Sequence, residues 1–251
     1  MSGVAGLWRY PIKSHGREAL VSVDLSEGRT MPWDRHWAVT HEKSKFDATA
    51  PEWVMCRNFM IGALTPELAG LSAKLNTDTE TVTLRHPTAG DLTVSPDAPE
   101  DVAQLISYLS KLCPADGPRP AGIAKVPDRG ITDTDYPTVS IMNAASHRTV
   151  SGRMGRTLES ERWRGNIWLE GPAPWEEFEW IGKRLRIGSA VVEISEPIRR
   201  CKHTMSNPRT GKRDADTLGV LNECFGHQNF GVYATVVESG RVAMGDAYQV
   251  L

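Results

Sequence analysis

Apolar and polar residues alternate in short runs along most of this chain, a pattern that predicts strands more often than helices. Val4 to Tyr10 reads as a strand that Pro11 ends. Leu20, Val21, Val23 and Leu25 form a second run, Glu27-Gly28-Arg29 a turn, and Trp33 to Thr40 a third run. Thr81–Leu84 and Asp91–Val94 flank the turn His86-Pro87-Thr88-Ala89-Gly90 and predict a hairpin with His86 at its surface. The period changes between 47 and 75, where Trp53, Val54, Phe59, Met60 and Leu64 fall at loosely helical spacing and Pro66 is set to open a helix. Val102, Leu105, Ile106 and Leu109 predict an amphipathic helix over 99–112. Proline, glycine, aspartate and threonine then dominate from Cys113 to Tyr136, which predicts a long loop or domain junction.

The second half opens on a strand, Val139 to Asn143, that delivers Asn143 and Ser146 into a turn or helix. Arg162, Arg164 and Asn166 alternate, and on a strand alternate residues share one face, here a surface for a phosphate or a polar ring. Leu185 to Ile194 is rich in β-branched residues and reads as a strand ended by Pro197, which leaves Cys201 at the strand end or in the loop beyond. Thr217 to Phe225 predicts a helix, and Gly231–Glu238 and Arg241–Leu251 predict two strands joined by a hairpin turn at Ser239-Gly240.

Composition narrows the function classes. The 251 residues are 40% hydrophobic and 24% charged, with a formal net charge of −2, so electrostatics give no reason to expect nucleic acid or an acidic membrane surface. No apolar window is long enough to span a membrane and no signal-peptide pattern opens the chain, so a cytoplasmic protein is the expectation. Cys56, Cys113, Cys201 and Cys224 are too sparse for a disulfide framework and read as thiols.

The candidate chemistry centres on Arg199-Arg200-Cys201-Lys202-His203. Neighbouring cations favour thiolate over thiol, and the thiolate is the form that binds metals or attacks electrophiles. The competing reading is a half-buried cysteine in a solvated basic loop. Lys13-Ser14 offers an ammonium, a hydroxyl and backbone amides for a phosphate. Arg35 follows Asp34, which makes a local ion pair the plain alternative to a binding role, and Ser146 serves equally as an ordinary N-cap. Cys201-x-His203 with Cys224-x-x-His227 also admits a Cys2His2 zinc site.

Tyr10-Pro11-Ile12-Lys13-Ser14, Asp34-Arg35-His36-Trp37, Arg162-Trp163-Arg164-Gly165-Asn166-Ile167, Arg200-Cys201, Asn207-Pro208-Arg209-Thr210-Gly211, Asn229-Phe230-Gly231-Val232-Tyr233 and Val242-Ala243-Met244-Gly245-Asp246 occur in an order that resembles the MOSC family. This family takes its name from the molybdenum cofactor sulfurase C-terminal domain, and in proteins similar to the mitochondrial amidoxime reducing components an N-terminal β-barrel precedes that domain. The resemblance implies a mainly β fold with some α: an N-terminal barrel over 1–95, a connecting helix and Pro/Gly-rich segment over 96–136, and a MOSC-type β-barrel over 137–251. It implies Cys201 as the molybdenum ligand and catalytic centre. Lys13, Ser14, Arg35, Ser146, Arg162, Arg164, Asn166 and Arg200 fall on positions that hold molybdopterin. The implied activity is oxidoreductase: two-electron, N-reductive removal of oxygen from N-hydroxylated compounds. With no iron–sulfur cysteine cluster in the chain, electrons are expected from a separate iron–sulfur, haem or flavin protein. A cofactor or sulfur carrier without reductase activity is the alternative. Gly165 departs from a proline common in the family and adds an N–H donor there.

Overall fold

The computed structural model describes residues 2–251 and is built mainly of strands. In chain order these are β1 (Gly3–Arg9), β2 (Glu18–Ala19), β3 (Ser22–Leu25), β4 (Trp37–His41), β5 (Ser72–Asn76), β6 (Thr81–His86), β7 (Gly90–Val94), α1 (Pro99–Ser110), β8 (Pro120–Lys125), β9 (Val139–Asn143), α2 (Ala144–Arg153), β10 (Ile167–Glu170), β11 (Arg184–Ile187), β12 (Ala190–Arg199), α3 (Thr217–Phe225), β13 (Asn229–Glu238), β14 (Gly240–Ala243) and β15 (Tyr248–Val250). No helix among the described residues is long and apolar enough to cross a membrane.

One eight-stranded sheet organises the molecule, in the order β15-β11-β12-β13-β9-β10-β1-β2. Every residue of β9 is buried, as expected of a strand flanked on both sides and covered on both faces. It pairs in parallel with β10 and antiparallel with β13. A parallel pair needs a crossover, and α2 supplies it, capped by Asn143, whose Oδ1 accepts from the Ala145 and Ser146 amides. β1 pairs with β10, so the first strand of the chain completes the sheet formed by its second half. One apolar core joins β1, β9, β12 and β13 through Leu7, Ile141, Val192, Ile194 and Val232; a second joins β4 to β7 with α1 through Trp37, Leu84, Leu105 and Leu109.

Several sequence expectations change. β13 and β14 are adjacent in sequence but form no hairpin, because β14 pairs with β3 instead. Pro197 does not end β12; it sits inside it where the register shifts, and an irregular step spares the ladder the missing N–H. The segment 113–136 holds β8, which pairs with β4. The loosely helical stretch 47–75 forms only short 3-10 turns at Cys56–Asn58 and Pro66–Gly70 before β5. His86 is buried rather than superficial, packed against Gly70 with Nε2 3.2 Å from the Glu67 carbonyl.

Candidate functional site

The turn after β1, the turn before β4, the segment between β8 and β9, the turn before β10 and the end of β12 converge on one cleft of about 120 Å3. Lys13, Ser14, Arg35, Arg162, Arg164, Arg200 and Cys201 all line it. Asn166 lies in a small adjoining hollow that shares Arg35, Asp133 and Tyr233 with the main cleft. Ser146 lies elsewhere, its hydroxyl bonded to Glu177 at 2.9 and 3.0 Å and to the Trp175 amide at 2.8 Å.

Cys201 lies two residues past the end of β12 and immediately before the 3-10 turn Lys202–Met205. Its surroundings reverse the electrostatic expectation. Although Cys201 is exposed at the surface, the cleft walls around its thiol desolvate it and push its pKa up, and the Asp133 carboxylate adds to this, together outweighing the His203 amide and Arg200. The adjacent guanidinium is turned inward: Arg200 Nε and Nη1 donate to the Phe230 and Trp163 carbonyls, each at 2.8 Å. Burial lowers the Arg200 pKa to about 10.

The three residues read as one strand face do not share one. Arg162 belongs to a 3-10 turn, Arg164 has left-handed backbone (φ 49°), and β10 starts only at Ile167. Arg162, buried to 1% exposure, donates through Nε to Glu159 at 2.8 Å and through Nη2 to Asp214 at 2.7 Å. Asn166 Oδ1 accepts from the Ser140 hydroxyl at 2.7 Å and amide at 3.1 Å, which ties β10 to β9. Arg164 differs: Nη1 donates to the Gly16 carbonyl at 3.1 Å, while Nη2 is buried with no partner. Burial first, then Arg35 and Arg17, bring its pKa down to about 10.

Lys13 Nζ donates to the Ile131 carbonyl at 2.9 Å and forms an ion pair with Asp133. Arg35, also left-handed (φ 52°), is paired with the buried Asp34 and donates Nη2 to the Arg164 carbonyl at 3.1 Å. Burial opposes its charge, but Asp34 and Asp133 outweigh burial and hold its pKa above the ordinary range. Against the desolvation of its own carboxylate, Asp133 is pulled down to about 2 by its ion pair with Lys13 and by the nearby charges of Arg35 and Arg200. Burial keeps the Tyr233 phenol protonated far above neutral pH.

Asp133, Tyr233, Tyr10 and Cys56 were not singled out from sequence as site residues. Tyr10 and Tyr233 lie within the quoted family segments, but Asp133 lies in the stretch read as a loop and Cys56 in the stretch read as packing. The zinc alternative has no support in geometry: among the described residues no three His, Cys, Asp or Glu side chains are grouped to hold a metal.

The donor set suits an anionic cofactor with a soft metal. A cysteine sulfur is the ligand such a metal takes, and the unpartnered Arg164 Nη2 beside Lys13 and Ser14 is the donor that phosphate or pterin oxygens take.

The profile of the MOSC N-terminal beta barrel domain matches residues 1–111, and that of the MOSC domain matches residues 128–249. A molybdenum cofactor sulfurase of Drosophila grimshawi is 31% identical over 117 residues, covering 44% of this chain and 15% of its own length. Molybdenum cofactor sulfurase 2 of Culex quinquefasciatus is 35% identical over 86 residues, covering 33% and 11%. The match thus spans only about 15% of the length of the first of these relatives. Among solved structures, YuaD of Bacillus subtilis aligns over 100% of this chain and 96% of its own, with TM-score 0.48 and 14% identity. YiiM of Geobacillus stearothermophilus aligns over 45% and 53%, with TM-score 0.34 and 18% identity.

Proposed function

The chain belongs to the MOSC family, with a MOSC N-terminal beta barrel domain ahead of a MOSC domain, and on that premise we propose that it is a molybdenum-cofactor-binding oxidoreductase for N-hydroxylated compounds. The observation that carries this reading is one cleft holding a cysteine, a lysine, a serine and a buried arginine with a free donor. Bound there, a molybdenum cofactor supplies two-electron removal of oxygen from an N–O bond.

The chain's own part is to hold that group and manage protons near it. Cys201 Sγ is the metal ligand. Because desolvation in the cleft raises its pKa, the thiol would give up its proton on binding a metal, which would couple binding to proton release. Lys13, Ser14 and Arg164 take the anionic oxygens. Arg35 and Arg200, both committed to protein partners, contribute charge and fix the wall rather than reach across it. Asn166 ties β10 to β9 behind the site, and Arg162 ties its own turn to the loop that carries Asp214. Ionised Asp133 and protonated Tyr233 stand on opposite sides of neutrality in the same cleft, an acceptor and a donor for a substrate hydroxylamine, amidoxime or N-hydroxylated base. Electrons come from a separate redox protein of the iron–sulfur, haem or flavin class.

The test is reduction of an aromatic amidoxime by cofactor-loaded protein with a reduced artificial donor. Native protein turns over and Cys201→Ala does not; full turnover by Cys201→Ala sinks the proposal. A second reading, a cofactor or sulfur carrier without reductase activity, is favoured by the likeness to molybdenum cofactor sulfurases. A carrier binds the cofactor yet shows no turnover with any donor.

A further inference from the structure

Tyr10 has no exposed surface, although two guanidiniums, those of Arg35 and Arg164, stand against its ring. Its hydroxyl donates to the Gly165 carbonyl at 3.0 Å, and its amide donates to Asp34 Oδ1 at 2.9 Å. The Arg164 guanidinium carbon lies 4.2 Å from the centre of its ring and that of Arg35 lies 4.9 Å from it. One cation comes from the turn before β4 and the other from the turn before β10, 129 residues apart in sequence. Both stand in left-handed backbone, which residues with a Cβ seldom adopt, so the fold and not rotamer freedom fixes where they point.

Two guanidiniums on one ring repel each other. Asp34 offsets the charge of Arg35, but no ion pair to Arg164 is present among the described residues. Arg164 is left with the Gly16 carbonyl, the face of Tyr10 and a buried Nη2 that donates to nothing. A buried donor without a partner is costly, and the ring's negative face is what holds the cation there.

We propose that Tyr10 is a positioning residue for the anion seat: its ring holds Arg35 and Arg164 together, so that Arg164 Nη2 faces an oxyanion arriving in the cleft. This rests on the reading that the cleft takes an anionic group. It concerns only the phosphate-like part of that group, so a probe without pterin or metal tests it. The Phe variant keeps the ring face and loses the hydroxyl; fluorinated phenylalanines keep the shape and progressively cancel the negative face.

The experiment is titration of the full chain with inorganic phosphate, read by NMR at the Arg164 side-chain N–H signal, which Arg164→Lys identifies. Position 10 carries Tyr, Phe, trifluorophenylalanine or pentafluorophenylalanine, with near-UV circular dichroism showing that each chain is folded. The expected result is phosphate binding that weakens only slightly in Tyr10→Phe and then stepwise with fluorination, by about tenfold at the end of the series. Equal binding across the fluorinated series overturns the proposal, and so does a native Arg164 signal indifferent to phosphate. The cofactor reading stands or falls separately, on pterin and metal content.

Discussion

Arg162→Met separates a cation that holds the fold from one that holds a ligand. The Arg162 side chain is 0% exposed and its Nη2 is 2.7 Å from both Glu159 and Asp214. Burial works against the Asp214 charge, but bonds from Asn207, Arg156 and Arg162 bring its pKa down from 3.8 to about 2. At about 1.4 kcal/mol per tenfold, that depression corresponds to roughly 2 kcal/mol at neutral pH, shared among the three donors. With 31% of its side chain exposed, screening brings the figure to about 1 kcal/mol. Removing a buried cation from between two carboxylates costs about 3–5 kcal/mol when both are sealed. Glu159 and Asp214 are 18% and 31% exposed and can take up water, so the expectation falls to roughly 2–3 kcal/mol. For a chain of this size that is a fall of about 5–10 °C in Tm. The sign with pH follows: a depressed carboxyl contributes fully above 3.8 and loses its contribution as pH falls through about 2. The gap between native and variant is therefore wide at pH 7 and narrow near pH 2. Urea unfolding across that range is the assay. Unchanged stability in a variant that has lost its pterin would refute the structural role and make Arg162 a ligand-binding residue.

Two further outcomes follow from buried ionisable groups. Burial brings His15 from 6.5 to about 4 and His203 to about 3, so both are neutral in the folded protein. Their contribution is whole above pH 6.5 and is lost as pH falls toward those values, so native stability drops between pH 6.5 and 4. His15→Asn starts lower and drops less; parallel curves for the two proteins would contradict this account. Asp133→Asn removes the carboxylate that helps keep the Cys201 thiol protonated. Alkylation of Cys201 at pH 8 should be several-fold faster in that variant, and a slower rate would show that Asp133 acts on the thiol in some other way.

Much of the fold is legible in the sequence because its strands follow the simplest period. β1, the β6–β7 hairpin, β9, β12 and the amphipathic α1 all lie where alternation or helical spacing puts them. Long-range pairing is not written in any local pattern, which is why β14 joining β3 and β8 joining β4 were missed. The arginines show the same limit within the site. Alternation of Arg162, Arg164 and Asn166 implies a common face only on a strand, and a 3-10 turn followed by a left-handed residue breaks that period. Their charges were legible, but not which were already paired: Arg162 is neutralised by Glu159 and Asp214, Arg35 by Asp34, and Arg164 by no carboxylate. The expected lowering of the Cys201 pKa is reversed for a related reason. Arg200 still favours the thiolate, but desolvation in the cleft and the Asp133 carboxylate, neither visible in the local sequence, outweigh it.

The central claim is that this cleft holds molybdopterin with its metal on Cys201, and the most direct test is molybdenum and pterin content of protein from a cofactor-competent host supplied with molybdate. Native chain and Cys201→Ala are compared side by side, with a control molybdoenzyme showing that the host loads its targets. The account predicts near-stoichiometric molybdenum with an oxidised-pterin fluorescence signal in the native chain, and loss of most of the metal in the variant. Native protein that carries zinc or no metal beside a loaded control would contradict it.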